Sequence, residues 1–254
     1  MSKVVCAVSA RMRSQRCPGK AMAPLAGKPL LAHLFERLRS VRELDDVVLA
    51  TSTATENQVL VELAGQVGVG VLRGDEDDVL GRHVAVARRW SADHVVRVTG
   101  DNPLTDLNLV RDLTRRQVGA KADYTYVPGD ALLMGILPEV ISRDALEASH
   151  EEGEDRHRSE LVTLYIKENP ARFRIERVDI PETLYRPSYR LTVDEPEDLA
   201  LMEKIFERLY RPGQVLDTAD AIRLLDAEPD LARINSHIGH KAHNVRSVEL
   251  DEEP

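Results

Sequence analysis

At 254 residues, with 43% hydrophobic and 30% charged positions, the chain has the size and composition of one large globular domain. Lys and Arg number 34 against 43 Asp and Glu, and the resulting formal charge of −9 disfavours general nucleic-acid binding, which depends on a basic footprint. No apolar run approaches the roughly 20 residues of a membrane-spanning helix, and Cys6 and Cys17 are too few for a disulfide framework and too far apart for a CxxC site. The opening Met1-Ser2-Lys3-Val4-Val5-Cys6 runs straight into a strand-like stretch, so no secretory leader is expected and a reduced, cytoplasmic protein is.

Residues 3–8 form a nearly unbroken apolar run, the pattern of a strand buried on both faces. Residues 9–29 interrupt it with Ser, Arg, Pro and Gly, and residues 30–41 then carry apolar side chains at helical spacing. A strand is predicted over 47–50, a helix over 56–66, a short strand over 69–72, a helix over 79–90 and a strand over 94–98. Residues 107–118 read as a helix capped by Asp106. Strands alternating with helices predict an α/β fold, a parallel sheet covered by helices on both faces. Beyond Asp123 the rhythm loosens. Strands are predicted over 124–127, 174–178 and 190–193, a turn at Pro128-Gly129, helices over 143–150 and 158–168, and an amphipathic helix over 196–209 that opens Asp194-Glu195-Pro196.

Open parallel sheets bind ligands beyond the carboxyl ends of their strands. One such end carries Ser9-Ala10-Arg11-Met12-Arg13-Ser14-Gln15-Arg16-Cys17-Pro18-Gly19-Lys20, four cations close together in an otherwise acidic chain. Arg offers a fork and Lys a point charge to phosphate oxygens, so the loop suits a triphosphate, although it holds neither GxxxxGK[ST] nor GxGxxG. The alternative is a solvated basic loop paired with surface acids. A second strand end carries Thr99-Gly100-Asp101-Asn102-Pro103, and Asp194 stands at a third. Carboxylates so placed suit Mg²⁺, which takes one or two from the protein and completes its shell with water and phosphate. Asp101 as a turn former and Asp194 as part of an ordinary helix start are the plainer readings.

Taken in order, these stretches resemble a known family. Ala10-Arg11-x-x-Ser14-x-Arg16-x-Pro18-x-Lys20 leads into Pro24-Leu25-Ala26-Gly27-Lys28-Pro29-Leu30, then Arg73-Gly74-Asp75-Glu76-Asp77-Asp78-Val79-Leu80-Gly81-Arg82, Arg97-Val98-Thr99-Gly100-Asp101-Asn102-Pro103-Leu104 and Arg190-Leu191-Thr192-Val193-Asp194-Glu195-Pro196-Glu197-Asp198-Leu199. The pattern is similar to the cytidylyltransferases, which include CMP-sialate and CMP-3-deoxy-octulosonate synthetases, and most of all to the spore-coat polysaccharide type. The resemblance implies a three-layer α/β sandwich with a mixed, mostly parallel seven-stranded sheet of the nucleotide-diphospho-sugar transferase type. It also implies a homodimer, CTP as donor, Mg²⁺ as cofactor and release of pyrophosphate. By position, Arg11, Ser14, Arg16 and Lys20 hold the triphosphate with Ala10 beside them, and Arg73, Asp75 and Asp78 lie near the nucleoside. Asp101 and Asp194 are the metal carboxylates, and Arg16, Lys20 and Asp101 carry the catalytic roles. The implied layout is a single domain over 1–248 with a frayed acidic tail at 249–254. Within it lie a nucleotide-binding half (1–127), an acceptor-binding and dimerisation insertion (128–187), and a closing strand with C-terminal helices (188–248).

Two positions depart from the family pattern. Ser9 stands where Gln is often found, and Arg13 where a small Gly is usual, which leaves room for an acceptor more anionic than a sugar acid, such as a phosphonate. Arg82, Arg97, Asn102, Arg156 and His157 are the candidates for the acceptor side. For Arg82 and Arg97 a structural salt bridge is the alternative, and for Arg156-His157 it is a helix start paired with Glu151, Glu152 and Asp155. His237, His240 and His243, three apart, read as a surface C-terminal helix rather than a zinc site. Cys6 reads as core and Cys17 as loop packing. A silent nucleotide-binding homologue, or the same fold using another nucleotide, is the competing functional reading.

Overall fold

The computed structural model describes residues 2–14, 16–128 and 133–238. In chain order the elements are β1 (Val4–Ser9), β2 (Pro24–Leu25), β3 (Lys28–Pro29), α1 (Leu30–Arg39), β4 (Asp46–Ser52), α2 (Gln58–Gln66), β5 (Gly70–Gly74), α3 (Val79–Arg89), β6 (His94–Thr99) and α4 (Leu107–Ala120). There follow β7 (Tyr124–Tyr126), β8 (Glu139–Ser142), α5 (Arg143–Glu152), α6 (Leu164–Glu168), β9 (Ile175–Arg177), α7 (Pro196–Leu209), α8 (Thr218–Ala227) and α9 (Pro229–Ala232).

Apart from the β2–β3 pair, the strands form one seven-stranded sheet in the order β5-β4-β1-β6-β8-β7-β9. β5, β4, β1 and β6 are parallel, β8 is antiparallel to both its neighbours, and β9 is parallel to β7. Helices cover both faces, which is why the central strands are apolar throughout: Val4, Cys6 and Val8 of β1 face the core shared with α1, α4 and α7, while Val5 and Ala7 face the core shared with α3 and α5. The same division separates Val47 and Leu49 from Val48 and Ala50 in β4.

From β1 the chain winds outward to β4 and β5, then returns to β6 on the other side of β1. The strand order therefore reverses between β1 and β6, the position where such sheets bind ligands. Their carboxyl ends are locked together: Ser9 pairs with Thr99, the Gly100 N–H donates to the Ser9 carbonyl at 2.7 Å, and a Cβ on Gly100 would lie 2.7 Å from that of Ala10. Only glycine lets the two loops leave the sheet side by side.

The structure departs from the sequence pattern in three places. β8 went unforeseen because it is only four residues long, squeezed between Pro138 and the start of α5. Residues 158–168 are not one helix. A 3-10 turn, Asp155–Arg158, is followed by extended backbone at Ser159, and α6 starts only at Leu164, because the Ser159 and Thr163 hydroxyls are bonded to Leu161 N–H and to Glu139 instead of continuing a helix. Residues 190–193, expected as a closing strand, lie outside the sheet. They make one isolated bridge to Met134, and their backbone bonds go to loops, Leu191 N–H to Met134 O at 2.7 Å and Val193 N–H to Asp101 O at 2.9 Å. Asp106 caps α4 as expected, accepting from Leu109 N–H. His237 sits in a turn after α9, while His240, His243, Gly129 and the 249–254 tail lie outside the described residues.

Gly135 admits this crossing of loops. It has φ +98°, and a Cβ there would come within 2.2 Å of the Thr192 nitrogen. Gly135→Ala is expected to destabilise the protein by about 2–4 kcal/mol, through left-handed strain and a backbone clash. Urea unfolding checks this, and a midpoint unchanged from wild type would contradict it.

Candidate active site

The basic loop after β1 is folded by its own backbone. The Gly19 N–H, at φ +74°, donates back to Met12 O at 3.2 Å, the Ser14 hydroxyl accepts from Cys17 N–H, and the short 3-10 turn Lys20–Met22 ends the excursion. Thr51 in β4 and Asn57 in the 3-10 turn after it hold the loop's entry. Thr51 Oγ1 donates to Ala10 O at 2.8 Å, and Asn57, itself donating to Ser52 Oγ, accepts from Met12 N–H at 2.7 Å. Arg11, Met12, Arg13, Ser14 and Pro18 then line an open cleft of about 480 Å³ together with Glu56 and Glu76. That volume falls in the range of small-molecule sites.

At the loop's far end Lys20 turns inward. Its ammonium donates to Asp101 Oδ2 at 3.1 Å and to Asp194 Oδ1 at 2.8 Å, with only 13% of the side chain exposed. Burial works against the Lys20 charge, but the two carboxylates outweigh it and hold its pKa above the ordinary lysine value. Burial likewise pushes Asp194 up, and Lys20, Arg16 and Arg190 together bring it below the usual carboxylate value. Arg16 completes the cluster, donating to Glu195 at 2.8 Å and standing 3.5 Å from Asp194. Asp101 Oδ1 is buried with no hydrogen-bond partner among the described residues. Two aspartates 93 positions apart in sequence thus face a single ammonium at the β1/β6 switch point.

With this geometry in view, the comparison with known proteins is decisive: the cytidylyltransferase family model matches residues 5–221. The chain belongs to the cytidylyltransferase family. An uncharacterized protein of Methanocaldococcus jannaschii is 34% identical over 250 residues, covering 97% of this chain and 99% of its own. The spore coat polysaccharide biosynthesis protein SpsF of Bacillus subtilis is 32% identical over 237 residues, 91% of this chain and 98% of its own. A cytidylyltransferase structure from Leptospira borgpetersenii superposes with a TM-score of 0.83 at 24% identity, over 91% of this chain and 97% of that one. The mixed seven-stranded sheet is thus the family's fold, and the protein is a CTP-dependent nucleotidyltransferase.

In this cytidylyltransferase the remaining sequence candidates have the following surroundings. Arg73 donates to the Ser52, Thr53 and Ala54 carbonyls and to Gln58, tying down the loop after β4. Asp75 accepts from the Asp77 and Asp78 N–H groups, and Asp78 caps α3 through Gly81 N–H while its other oxygen meets His150 at 2.7 Å. Arg82 is buried and bound to the Asp75 and Glu76 carbonyls, and burial, then the neighbouring Arg11, lowers its pKa. Arg97 pairs with Glu139 at 2.6 Å, as the salt-bridge alternative expected. Glu139 also accepts from Tyr124, Thr163 and Lys167; burial raises its pKa, but Lys167, Arg97 and these hydrogen bonds hold it well below the usual value. Asn102 donates to Thr99 Oγ1, and its own Oδ1 is buried without a partner among the described residues. Arg156 and His157 both bind Glu168, at 2.5 and 2.8 Å, rather than Glu151, Glu152 or Asp155. Arg13 pairs with Glu56 at 2.8 Å and is mostly exposed. Cys6 and Cys17 are both buried.

Sequence reasoning missed Glu56 and Glu76, which face the cleft, and it missed His83. His83 lies fully buried beneath Ser9: its Nδ1 donates to Val79 O at 2.9 Å, leaving Nε2 to accept from the Ser9 hydroxyl at 3.4 Å. That carbonyl accepts only, which fixes the proton on Nδ1. Burial drives the His83 pKa down to about 4. The folded value lies below the unfolded one, so the unfolded chain takes up the proton first, and stability falls as pH drops from about 6.5 toward 4. His83→Gln is expected to remove about 3 kcal/mol of acid sensitivity across that window. Urea unfolding at pH 7 and pH 4.5 measures it, and an equal loss in wild type and variant would contradict it.

Proposed function

We propose that this cytidylyltransferase transfers CMP from CTP to an acidic acceptor, a sugar acid or a small carboxylate or phosphonate metabolite, and releases pyrophosphate in an Mg²⁺-dependent reaction. The observation that carries the reading is the Lys20 ammonium between Asp101 and Asp194, at the inner end of the basic loop that lines the cleft. On the strength of the family resemblance alone, we include a cytoplasmic homodimer in the proposal.

The donor set suits Mg²⁺. Asp101 and Asp194 both reach one point, and Asp101 keeps a buried oxygen without a partner among the described residues. An ion that takes one or two protein carboxylates and keeps oxygen ligands from water and phosphate fits such a site. When bound, it neutralises charge at the α-phosphate and helps orient the nucleophile.

The chain's own residues supply positioning and charge, which make up most of what a phosphoryl-transfer enzyme does. Arg11 and Ser14 take the triphosphate along the cleft wall. An acceptor oxygen attacks the α-phosphorus in line, a new P–O bond forms, and the bond to the β-phosphate oxygen breaks. Arg16 and Lys20, at the end of the basic loop that meets the acidic pair, exchange carboxylate for phosphate oxygens and stabilise the departing pyrophosphate.

On the acceptor side, Arg97 and Arg156 are committed to Glu139 and Glu168, while Arg82 and Asn102 adjoin the cleft wall and Asp101. Burial, and after it the positive charge of Arg11, disfavours the Arg82 charge, and an acidic group of the acceptor beside them would relieve that. The charge of Arg13 is already balanced by Glu56, so it lends a phosphonate no special support.

Pyrophosphate release from CTP over a panel of sugar acids, carboxylates and phosphonates tests the proposal. Lys20→Ala and Asp101→Asn are each expected to lower turnover by about 10²–10³. Near-normal turnover by either variant would remove the assigned roles.

A further inference from the structure

Behind Asp194 lies a buried network that none of the site residues above explains. Arg190 is 6% exposed, donates through Nη2 to Asp194 Oδ2 at 3.1 Å, and clamps Asp198 through Nε at 2.8 Å and Nη2 at 3.0 Å. Asp198 Oδ2 also accepts the Asp194 and Glu195 N–H groups at 2.9 and 3.0 Å, so it fixes the backbone of the segment as well as the cation behind its side chain. The last partner comes from the far end of the chain. Asn235, 2% exposed, donates through its amide nitrogen to Asp198 Oδ1 at 2.8 Å and to the Arg190 carbonyl at 3.0 Å.

Asn235 follows α9 and lies beyond residue 221, where the family match ends. Its chemistry fits this place. A side-chain amide brings two donors and no charge, which are what a buried carbonyl and one oxygen of an arginine-paired carboxylate lack. A third carboxylate there would unbalance the pair, and an apolar side chain would take the donor from the buried Arg190 carbonyl and leave Asp198 Oδ1 with Arg190 Nε alone.

We propose that Asn235 is a positioning residue for Asp194. Acting through Asp198 and Arg190, it fixes the direction of the Asp194 carboxylate, so the segment after α9 belongs to the working site and is more than packing. The inference rests on reading Asp194 as a metal ligand.

The test follows Mn²⁺ binding to the full chain with CTP and no acceptor, by water-proton relaxation, in wild type, Asp194→Asn, Asn235→Ala and Leu231→Ala. Leu231 is a buried apolar side chain of α9, so its truncation loosens the same segment without removing a donor. Groups that orient a metal ligand typically change metal affinity about 10–100-fold, and Asn235→Ala is expected to weaken Mn²⁺ by that factor. Its Kd for CTP at saturating Mn²⁺ should stay unchanged, and Leu231→Ala should lower Tm but keep wild-type Mn²⁺ affinity. If Asn235→Ala does not fold, Asn235→Ser, which keeps a single donor, carries the same expectation at smaller size. Wild-type Mn²⁺ affinity in the Asn235 variant, or equal weakening in Leu231→Ala, would overturn the positioning role. If Asp194→Asn itself binds Mn²⁺ as wild type does, the metal reading fails and takes the inference with it.

Discussion

One ammonium group organises this protein's chemistry. Lys20 reaches Asp101 and Asp194 from a loop that begins at the first strand, and the two contacts join residues 81 and 174 positions apart in the chain. Neither carboxylate would sit comfortably facing the other without it. At an effective dielectric near 20, opposite unit charges about 3 Å apart attract by about 5 kcal/mol. The desolvation of a buried ion costs several kcal/mol, and the two carboxylates together offset that cost for the ammonium. The direction of the shifts agrees: Lys20 is held above its ordinary value and Asp194 below its own, despite burial acting the other way on each.

The fold exists to bring these three groups to one place. Parallel strands leave their loops at one rim of the sheet, and the reversal of strand order between β1 and β6 opens a gap there. Gly100 lets the two loops leave in contact, and Gly135 lets the segment before α7 cross beside them, tied to the β6 loop by the Val193–Asp101 backbone bond. Charge is then arranged in layers. Arg190 and Asp198 sit buried behind Asp194, Lys20 and Arg16 stand in front of it, and Arg11 and Arg13 reach into the open cleft.

Much of this was legible in the chain because it is local. Alternating apolar runs and helical periodicities gave the strands and helices of the first half, since strands buried on both faces leave that pattern. The unusual cation density of residues 9–20 marked the loop, and Asp101 and Asp194 announced themselves by standing at strand or helix boundaries. What the string did not carry was long-range pairing. Nothing near Arg97 says that Glu139 will neutralise it, nothing near Arg156 points to Glu168, and Asn235 has no local signature at all. His83 has no signal of its own within the helix predicted over 79–90, yet it lies fully buried against Ser9. Residues 190–193 have strand-like composition, but their hydrogen bonds run to two loops, which no period-2 pattern distinguishes from a sheet.

The most direct examination of the central claim is a crystal grown with CTP and Mn²⁺, its metal located by anomalous scattering. The account predicts an anomalous peak between the carboxylates of Asp101 and Asp194, with Lys20 turned toward phosphate oxygens. A peak held by the triphosphate alone, with Lys20 still bridging the two aspartates, would contradict it.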